Sequence, residues 1–295
     1  MDFIGYLANC LINGQEMVEL RSNYRVRSLI RLKLAGYDLE LYQSDSAFPQ
    51  HRSKVAGQLF PSTKFIVHDI SEKDIDVLKS VGYSLANLMS FGTDSQVRFY
   101  RWKLSPVSRG EEWFTMGVVG AHRPVVNVLL GDEVKHFIEC CFPQFEKYRE
   151  ERFLPQVFEY YVLADCVDLP MEVKLANLFI LLENLKHSFA SMSGNFFFKN
   201  GFFYRVTNKK KRASFREILE EMFQEQGMEP DLAKIVKLRN DIIHTGLCGL
   251  ELEEMFELYA SIKDIVAEYL LKLLGFEGQY LIYSSSGRKF QNMNC

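Results

Sequence analysis

Residues Val125-Val126-Asn127-Val128-Leu129-Leu130-Gly131-Asp132-Glu133-Val134-Lys135-His136 mark the point at which the texture of the chain changes. Before Gly131-Asp132, short segments rich in Val, Ile and aromatics are separated by Gly, Pro, Ser or Asp. They are Arg27 to Leu34, Leu39 to Tyr42, Thr63 to His68, Val97 to Leu104, Trp113 to Val119 and Val125 to Leu130. That pattern predicts strands in a mostly antiparallel sheet, interrupted by one helix from Ser71, a suitable N-cap, to Val81. After Asp132 the apolar residues recur at helical spacing. Helices are expected over Glu133 to Glu151, Leu154 to Cys166, Glu172 to Met192, Phe215 to Gln226, Asp231 to His244 and Leu250 to Leu274. Pro170 and Pro230 stand at two helix starts, where proline is tolerated. The expectation is an α+β protein, with a β-rich N-terminal domain over residues 1–135 and an all-α bundle over residues 136–295. The tail from Gly278 to Cys295, with Ser284-Ser285-Ser286-Gly287, reads as a mobile end or a short strand pair.

With 295 residues, 47% hydrophobic and 14% aromatic, the chain is long enough for two cores and too apolar to be disordered. Its net charge of −3 gives no bulk attraction to nucleic acid, so any RNA contact has to come from a local patch. The cysteines Cys10, Cys140, Cys141, Cys166, Cys248 and Cys295 form no Cys-x-x-Cys pair and no metal-like spacing with histidine. A reduced cytoplasmic setting is expected, with no metal and no cofactor. Met1 to Gly14 is apolar, yet Asp2 and the absence of an early cation argue against a signal peptide, and no apolar run is long enough for a membrane span. In the N-terminal region His51, His68, His122 and His136 are too scattered for a metal site. The strand Arg98-Phe99-Tyr100-Arg101-Trp102-Lys103 places cations and aromatics on alternate faces, as either a half-buried strand or a ligand surface would.

Chemistry concentrates in Leu238-Arg239-Asn240-Asp241-Ile242-Ile243-His244-Thr245-Gly246. Pro230-Asp231 supplies a helix start, and Leu232, Ile235, Val236, Ile242 and Ile243 form an apolar stripe. Arg239 falls on that stripe, four residues after Ile235 and four before Ile243, where a cation is costly unless a partner chain, a carboxylate or an anionic ligand meets it. Asn240 and His244 lie one above the other, and Arg239 can swing in from the side. The bland reading is a surface cation followed by a helix C-cap. Glu183, among Leu178, Phe179, Leu182 and Leu185, also needs a partner: Arg239 in one reading, Lys186 or His187 of its own helix in the other. Asp241 points from another face and is either a supporting group or a solvated acid.

Arg-Asn-x-x-x-His within an all-helical C-terminal region resembles the HEPN superfamily, and the nearest subgroup is the HEPN domain of ApeA-like prokaryotic defence proteins. Leu181-Leu182-Glu183-Asn184-Leu185 is similar to the Leu-Glu-x-Leu of that subgroup's first long helix, and the resemblance spans about residues 150–275. It implies a metal-independent endoribonuclease working as a homodimer, with an anti-phage defence or toxin role and a phage or cellular trigger sensed by the N-terminal domain. Under it His244 transfers protons, Arg239 stabilises transition-state charge and Asn240 orients the histidine or the phosphate. RNA carries its own nucleophile in the 2′-hydroxyl, so such groups suffice without a metal. The alternative is a non-catalytic module that binds nucleotide or RNA, or dimerises.

Arg205, Lys209, Lys210, Lys211, Arg212 and Arg216 form a basic run with no acidic residue between them, in the connection after the Glu172 helix. The aromatic segment Phe196 to Tyr204, with Asn200-Gly201 at its middle, precedes and overlaps it. Cations beside aromatics suit single-stranded RNA, with Lys209, Lys210, Lys211 and Arg212 as contacts, and a solvated loop with a buried hairpin suits the same residues.

Overall fold

The computed structural model describes residues 1–21, 24–44, 52–120, 123–166, 168–284 and 287–293. His51, His122, Cys295, Ser285 and Ser286 lie outside the described residues. The fold is α+β: an antiparallel sheet region followed by a helical region. Two compact units result. One comprises residues 1–146 with 274–281 and 290–295, the other residues 147–273 with 282–289.

In the first unit β1 (Asp2–Ala8), β2 (Glu16–Arg21), β3 (Tyr24–Leu34), β4 (Tyr37–Gln43), β5 (Pro61–Val67), β6 (Arg98–Ser105) and β7 (Gly110–Glu112) form one sheet, with α1 (Arg52–Val55) and α2 (Ile75–Thr93) between strands. The order is β2-β3-β4-β5-β1-β6-β7, and every neighbouring pair is antiparallel. The apolar N-terminal run is therefore the inner strand β1, whose Phe3 stacks on Trp102 with ring centroids 5.6 Å apart. Helix α2 packs on β1 and β6 through buried Leu78, Val81, Leu85 and Leu88. Each such side chain contributes about 1.5–3 kcal/mol on leaving water.

Four sequence expectations need correction here. The helix expected to end at Val81 continues to Thr93. Gly82, inside the helix, faces the Phe99 ring so closely that an added methyl would lie 3.0 Å from it. Ser71 caps a three-residue 3-10 turn (Glu72–Asp74) ahead of α2, not α2 itself. Trp113 to Val119 is not a strand: the edge strand is Gly110–Glu112, and Trp113 packs edge-on against Phe99 at 5.6 Å. Val125 to Leu130 is buried at Val125, Val126 and Val128 yet forms no strand, because its main chain is shared among separate partners. Val125 and Val126 donate to the Gly92 carbonyl, while the Val128 carbonyl accepts from Asn13.

The change of texture suggested a boundary at 135/136, whereas compact packing divides the chain within α3 (Gly131–Tyr148). Phe137 on that helix packs its ring against Phe91 of α2 and against Phe276, and so binds α3 to the first unit. The tail forms a strand pair, β11 (Gly278–Ile282) with β12 (Lys289–Met293).

The second unit contains α4 (Leu154–Leu163), α5 (Met171–Met192), α6 (Phe215–Glu225), α7 (Leu232–Thr245) and α8 (Leu252–Leu273). Helix α5 is its centre, packed against each of the other four through Leu175, Leu178, Phe179, Leu182 and Leu185. Between α5 and α6 a three-stranded sheet is inserted, in the order β10-β9-β8: β8 (Phe196–Lys199), β9 (Phe202–Arg205) and β10 (Asn208–Arg212). Asn200 and Gly201 both have positive φ, 50° and 81°, as a two-residue hairpin turn of matching twist requires. The basic run is thus a third strand, β10, where a connection was expected.

Candidate active site

Helix α7 begins at Asp231, whose side chain accepts from the Ala233 main-chain N–H at 3.0 Å. It ends at Gly246, where φ of 73° lets the Gly246 N–H close on the Ile242 carbonyl. Leu232, Ile235, Leu238 and Ile242 face the core of the unit. Ile243 does not: it is 44% exposed, so the apolar stripe runs one step away from the line expected through Ile235 and Ile243. Arg239 stands at the shoulder of this stripe, its side chain 22% exposed.

The Arg239 guanidinium is held from three sides. Nη2 donates to Glu183 Oε1 of α5 at 2.6 Å, and Nη1 donates to the Asn240 side-chain oxygen at 2.9 Å. The group also lies over the Phe215 ring, 5.1 Å from its centroid. Nε is buried with no hydrogen-bond partner among the described residues. The other oxygen of Glu183 accepts from Lys186 Nζ at 2.5 Å, and Lys186 lies over the same Phe215 ring at 5.5 Å. Both partners that the sequence left open for Glu183 are therefore engaged, one oxygen each. His187 is not among them. It meets Phe198 and Phe203 edge-on, at 5.6 and 5.2 Å.

Asn240 and His244 are exposed on the outer side of α7, one turn apart. The His244 ring has no hydrogen-bond or ionic partner among the described residues. Asp241 is exposed as well, and its main-chain carbonyl accepts from the Thr245 hydroxyl at 2.7 Å. The structure thus gathers Arg239, Asn240, Glu183, Lys186 and Phe215 into one cluster and leaves His244 and Asp241 facing solvent beside it. Lys186 and Phe215 are the members that the sequence reading did not assign to the site. Phe215 opens the helix expected from Phe215 to Gln226, behind the capping box Ser214-x-x-Glu217.

In the inserted sheet, Phe196 and Phe203 are buried while Phe198 and Phe202 are exposed. Arg212 lies 3.7 Å over the Phe202 ring. Lys211 pairs with Glu217 at 2.8 Å, Arg205 with Glu221 at 2.8 Å and Arg216 with Glu220 at 2.7 Å. Acids of α6 thus neutralise half of the basic run, leaving Lys209, Lys210 and Arg212 as cations with no carboxylate partner among the described residues.

Glu217 carries a testable consequence. The Lys211 ammonium, then the main-chain N–H and hydroxyl of Ser214, hold its carboxyl at about 2, well below the ordinary 4.5. Because the folded value is depressed, the stabilisation is complete above about pH 4.5 and is lost as pH falls towards 2. NMR titration of the Glu217 side chain should give a midpoint near 2 that rises in Lys211→Ala. A wild-type midpoint in the ordinary glutamate range would refute this.

Among the described residues no group of three His, Cys, Asp or Glu side chains is arranged to hold a metal ion. Cys10, Cys140, Cys141, Cys166 and Cys248 are unbridged. His68 lies between Asp2 and Glu40, at 3.2 and 3.6 Å, and Asp2 above all raises its pKa. His136 bonds the Glu277 carbonyl. No helix among the described residues is long and apolar enough to cross a membrane. Compared with known protein families, with curated proteins and with solved structures, the chain matches none.

Proposed function

We propose that this protein is a metal-independent endoribonuclease of HEPN type that cuts RNA as a homodimer in an anti-phage defence or toxin role. The observation that carries the reading is the half-buried Arg239, oriented by Glu183 and Asn240, five residues before an exposed His244 on the same helix. A cation held in place before substrate arrives costs no reorganisation when negative charge develops on a phosphate. In the proposed reaction one His244 imidazole takes the 2′-hydroxyl proton as that oxygen attacks phosphorus. The protonated His244 of the second copy gives a proton to the departing 5′-oxygen as its bond to phosphorus breaks. The products are a 2′,3′-cyclic phosphate and a 5′-hydroxyl. Exposed Ile243 and Leu247, either side of His244, offer apolar surface for a second copy to cover. Lys209, Lys210 and Arg212, beside exposed Phe198 and Phe202, would track unpaired RNA. In this reading the protein acts in the cytoplasm, and the N-terminal sheet unit senses the phage or cellular trigger.

One observation favours the non-catalytic alternative, a module that binds nucleotide or RNA or dimerises: the Arg239 guanidinium already spends a donor of each terminal nitrogen on Glu183 and Asn240, as in a purely structural ion pair. Cleavage of labelled RNA by the purified chain separates the two. The nuclease reading expects products with cyclic phosphate ends, unchanged by EDTA, and a loss of about 10²-fold or more in Arg239→Ala. Cleavage abolished by EDTA, or equal in Arg239→Ala and wild type, would overturn it.

A further inference from the structure

The outer face of the N-terminal sheet carries chemistry that the nuclease reading does not use. Along β1, β4, β5 and β6 the buried residues Gly5, Leu41, Phe65 and Trp102 alternate with outward ones. The strand register then aligns Tyr42 with Lys64, Lys64 with Tyr6, and Tyr6 with Arg101. Four adjacent strands thus present an aromatic, a cation, an aromatic and a cation in one row.

The rings and cations of this row are in contact range. Lys64 Nζ lies 5.4 Å from the Tyr42 ring centroid, and Arg101 and Lys103 lie 5.2 and 5.9 Å from that of Tyr6. Tyr100, beside a register shift in β6, adds a third ring 6.4 Å from Tyr6. Tyr6, Tyr42, Tyr100 and Lys64 line a cavity of about 540 Å³, and none of its described lining residues is acidic. Arg101 is paired with Glu112 at 3.4 Å, and Tyr42 donates to Glu40 at 2.5 Å. Lys64 and Lys103 have no carboxylate partner, and the hydroxyls of Tyr6 and Tyr100 no hydrogen-bond partner, among the described residues.

Each part selects a ligand property. Three phenol rings favour a planar group that stacks. The unpaired Lys64 ammonium in the cavity wall favours an anion, and two free phenol hydroxyls offer hydrogen bonds to a polar edge. The cavity falls within the size range of sites that enclose one small molecule, and it is too small for a folded polymer. We propose that this face binds a nucleoside phosphate, with the base against the tyrosines and the phosphate on Lys64. The free nucleotide and the end of a nucleic-acid strand share this chemistry, and the cavity volume favours the free nucleotide. The proposal concerns the first unit alone and holds whether or not α7 cuts RNA.

Isothermal titration of the full chain with each of the four ribonucleoside 5′-monophosphates tests it, alongside the matching nucleosides, inorganic phosphate and a short unstructured RNA. At least one monophosphate should bind saturably with one site per chain. Its nucleoside should bind about tenfold more weakly or worse, as expected when a charged hydrogen bond is lost. Lys64→Ala should weaken the monophosphate by a similar factor while leaving the nucleoside unchanged. Exposed Lys33→Ala, on the Asp38 pair, should alter neither. Tyr6→Phe with Tyr100→Phe keeps the rings and should weaken binding through the hydroxyls alone. His244→Ala should bind the nucleotide as wild type does, which separates this site from the nuclease reading. Absence of saturable binding by all four monophosphates, equal affinity in Lys64→Ala, full displacement by inorganic phosphate, or binding of the RNA alone would each overturn the proposal.

Discussion

Replacing His244 with alanine is expected to lower RNA cleavage by about 10²- to 10⁴-fold, the span associated with a positioned proton-transfer group. The substitution should leave the helical unit folded. His244 is exposed, has no partner among the described residues and lies beyond the last buried position of its helix, Ile242. Surface changes of this kind alter stability by about 0.5 kcal/mol or less. If two copies each supply one imidazole to a shared linkage, mixing wild type with His244→Ala should reduce activity as the square of the wild-type fraction. A linear fall would mean that each copy works alone and would remove the dimer-interface mechanism. Full cleavage by His244→Ala would remove the acid and base roles altogether.

Lys263→Met is expected to lower the melting temperature by roughly 10 °C. Lys263 on α8 is 1% exposed, its ammonium bonded to the Asp165 carboxylate and 4.4 Å from the Tyr161 ring centroid. Tyr259, also buried, donates to Asp165 and to the Ala164 carbonyl. Methionine keeps most of the volume but removes the opposite charge from the Asp165 carboxylate in a low-dielectric interior. Removing one partner of a buried pair costs about 3–5 kcal/mol, and a domain of this size loses about 2–4 °C per kcal/mol. Asp165→Asn in the Lys263→Met background removes the carboxylate charge while keeping an acceptor for Tyr259, and should recover much of the loss. Calorimetry that finds Lys263→Met melting with wild type would show that the interior tolerates the Asp165 carboxylate without the Lys263 charge.

The α+β division was legible because the period of the apolar residues changes from two to helical spacing at Gly131-Asp132. The helices from Leu154 onward follow from that spacing, together with Pro170, Asp231 and Gly246 at their ends. The strands β1 and β2 were not legible. An inner strand covered on one face by α2 reads from Met1 to Gly14 as an apolar run without a period, which a short buried strand shares with many other states. Val125 to Leu130 misled in the opposite direction, since buried valines do not make a strand when their main chain bonds several partners. At the candidate site, the need of Arg239 and Glu183 for partners was readable from their places among apolar neighbours. Lys186 was among the partners offered for Glu183; that Phe215 completes the cluster was not readable, because it arrives from a separate helix.

By itself the amino-acid sequence determined the class of each long element, the cost of a guanidinium among apolar side chains, and the position of His244 one turn from Asn240, since all three follow from local spacing. Only the tertiary structure decided that α5 carries the carboxylate that meets Arg239, that Ile243 faces solvent, and that three tyrosines from β1, β4 and β6 converge beside Lys64. Those outcomes depend on strand order and helix packing between residues far apart in the chain, and no local period encodes them.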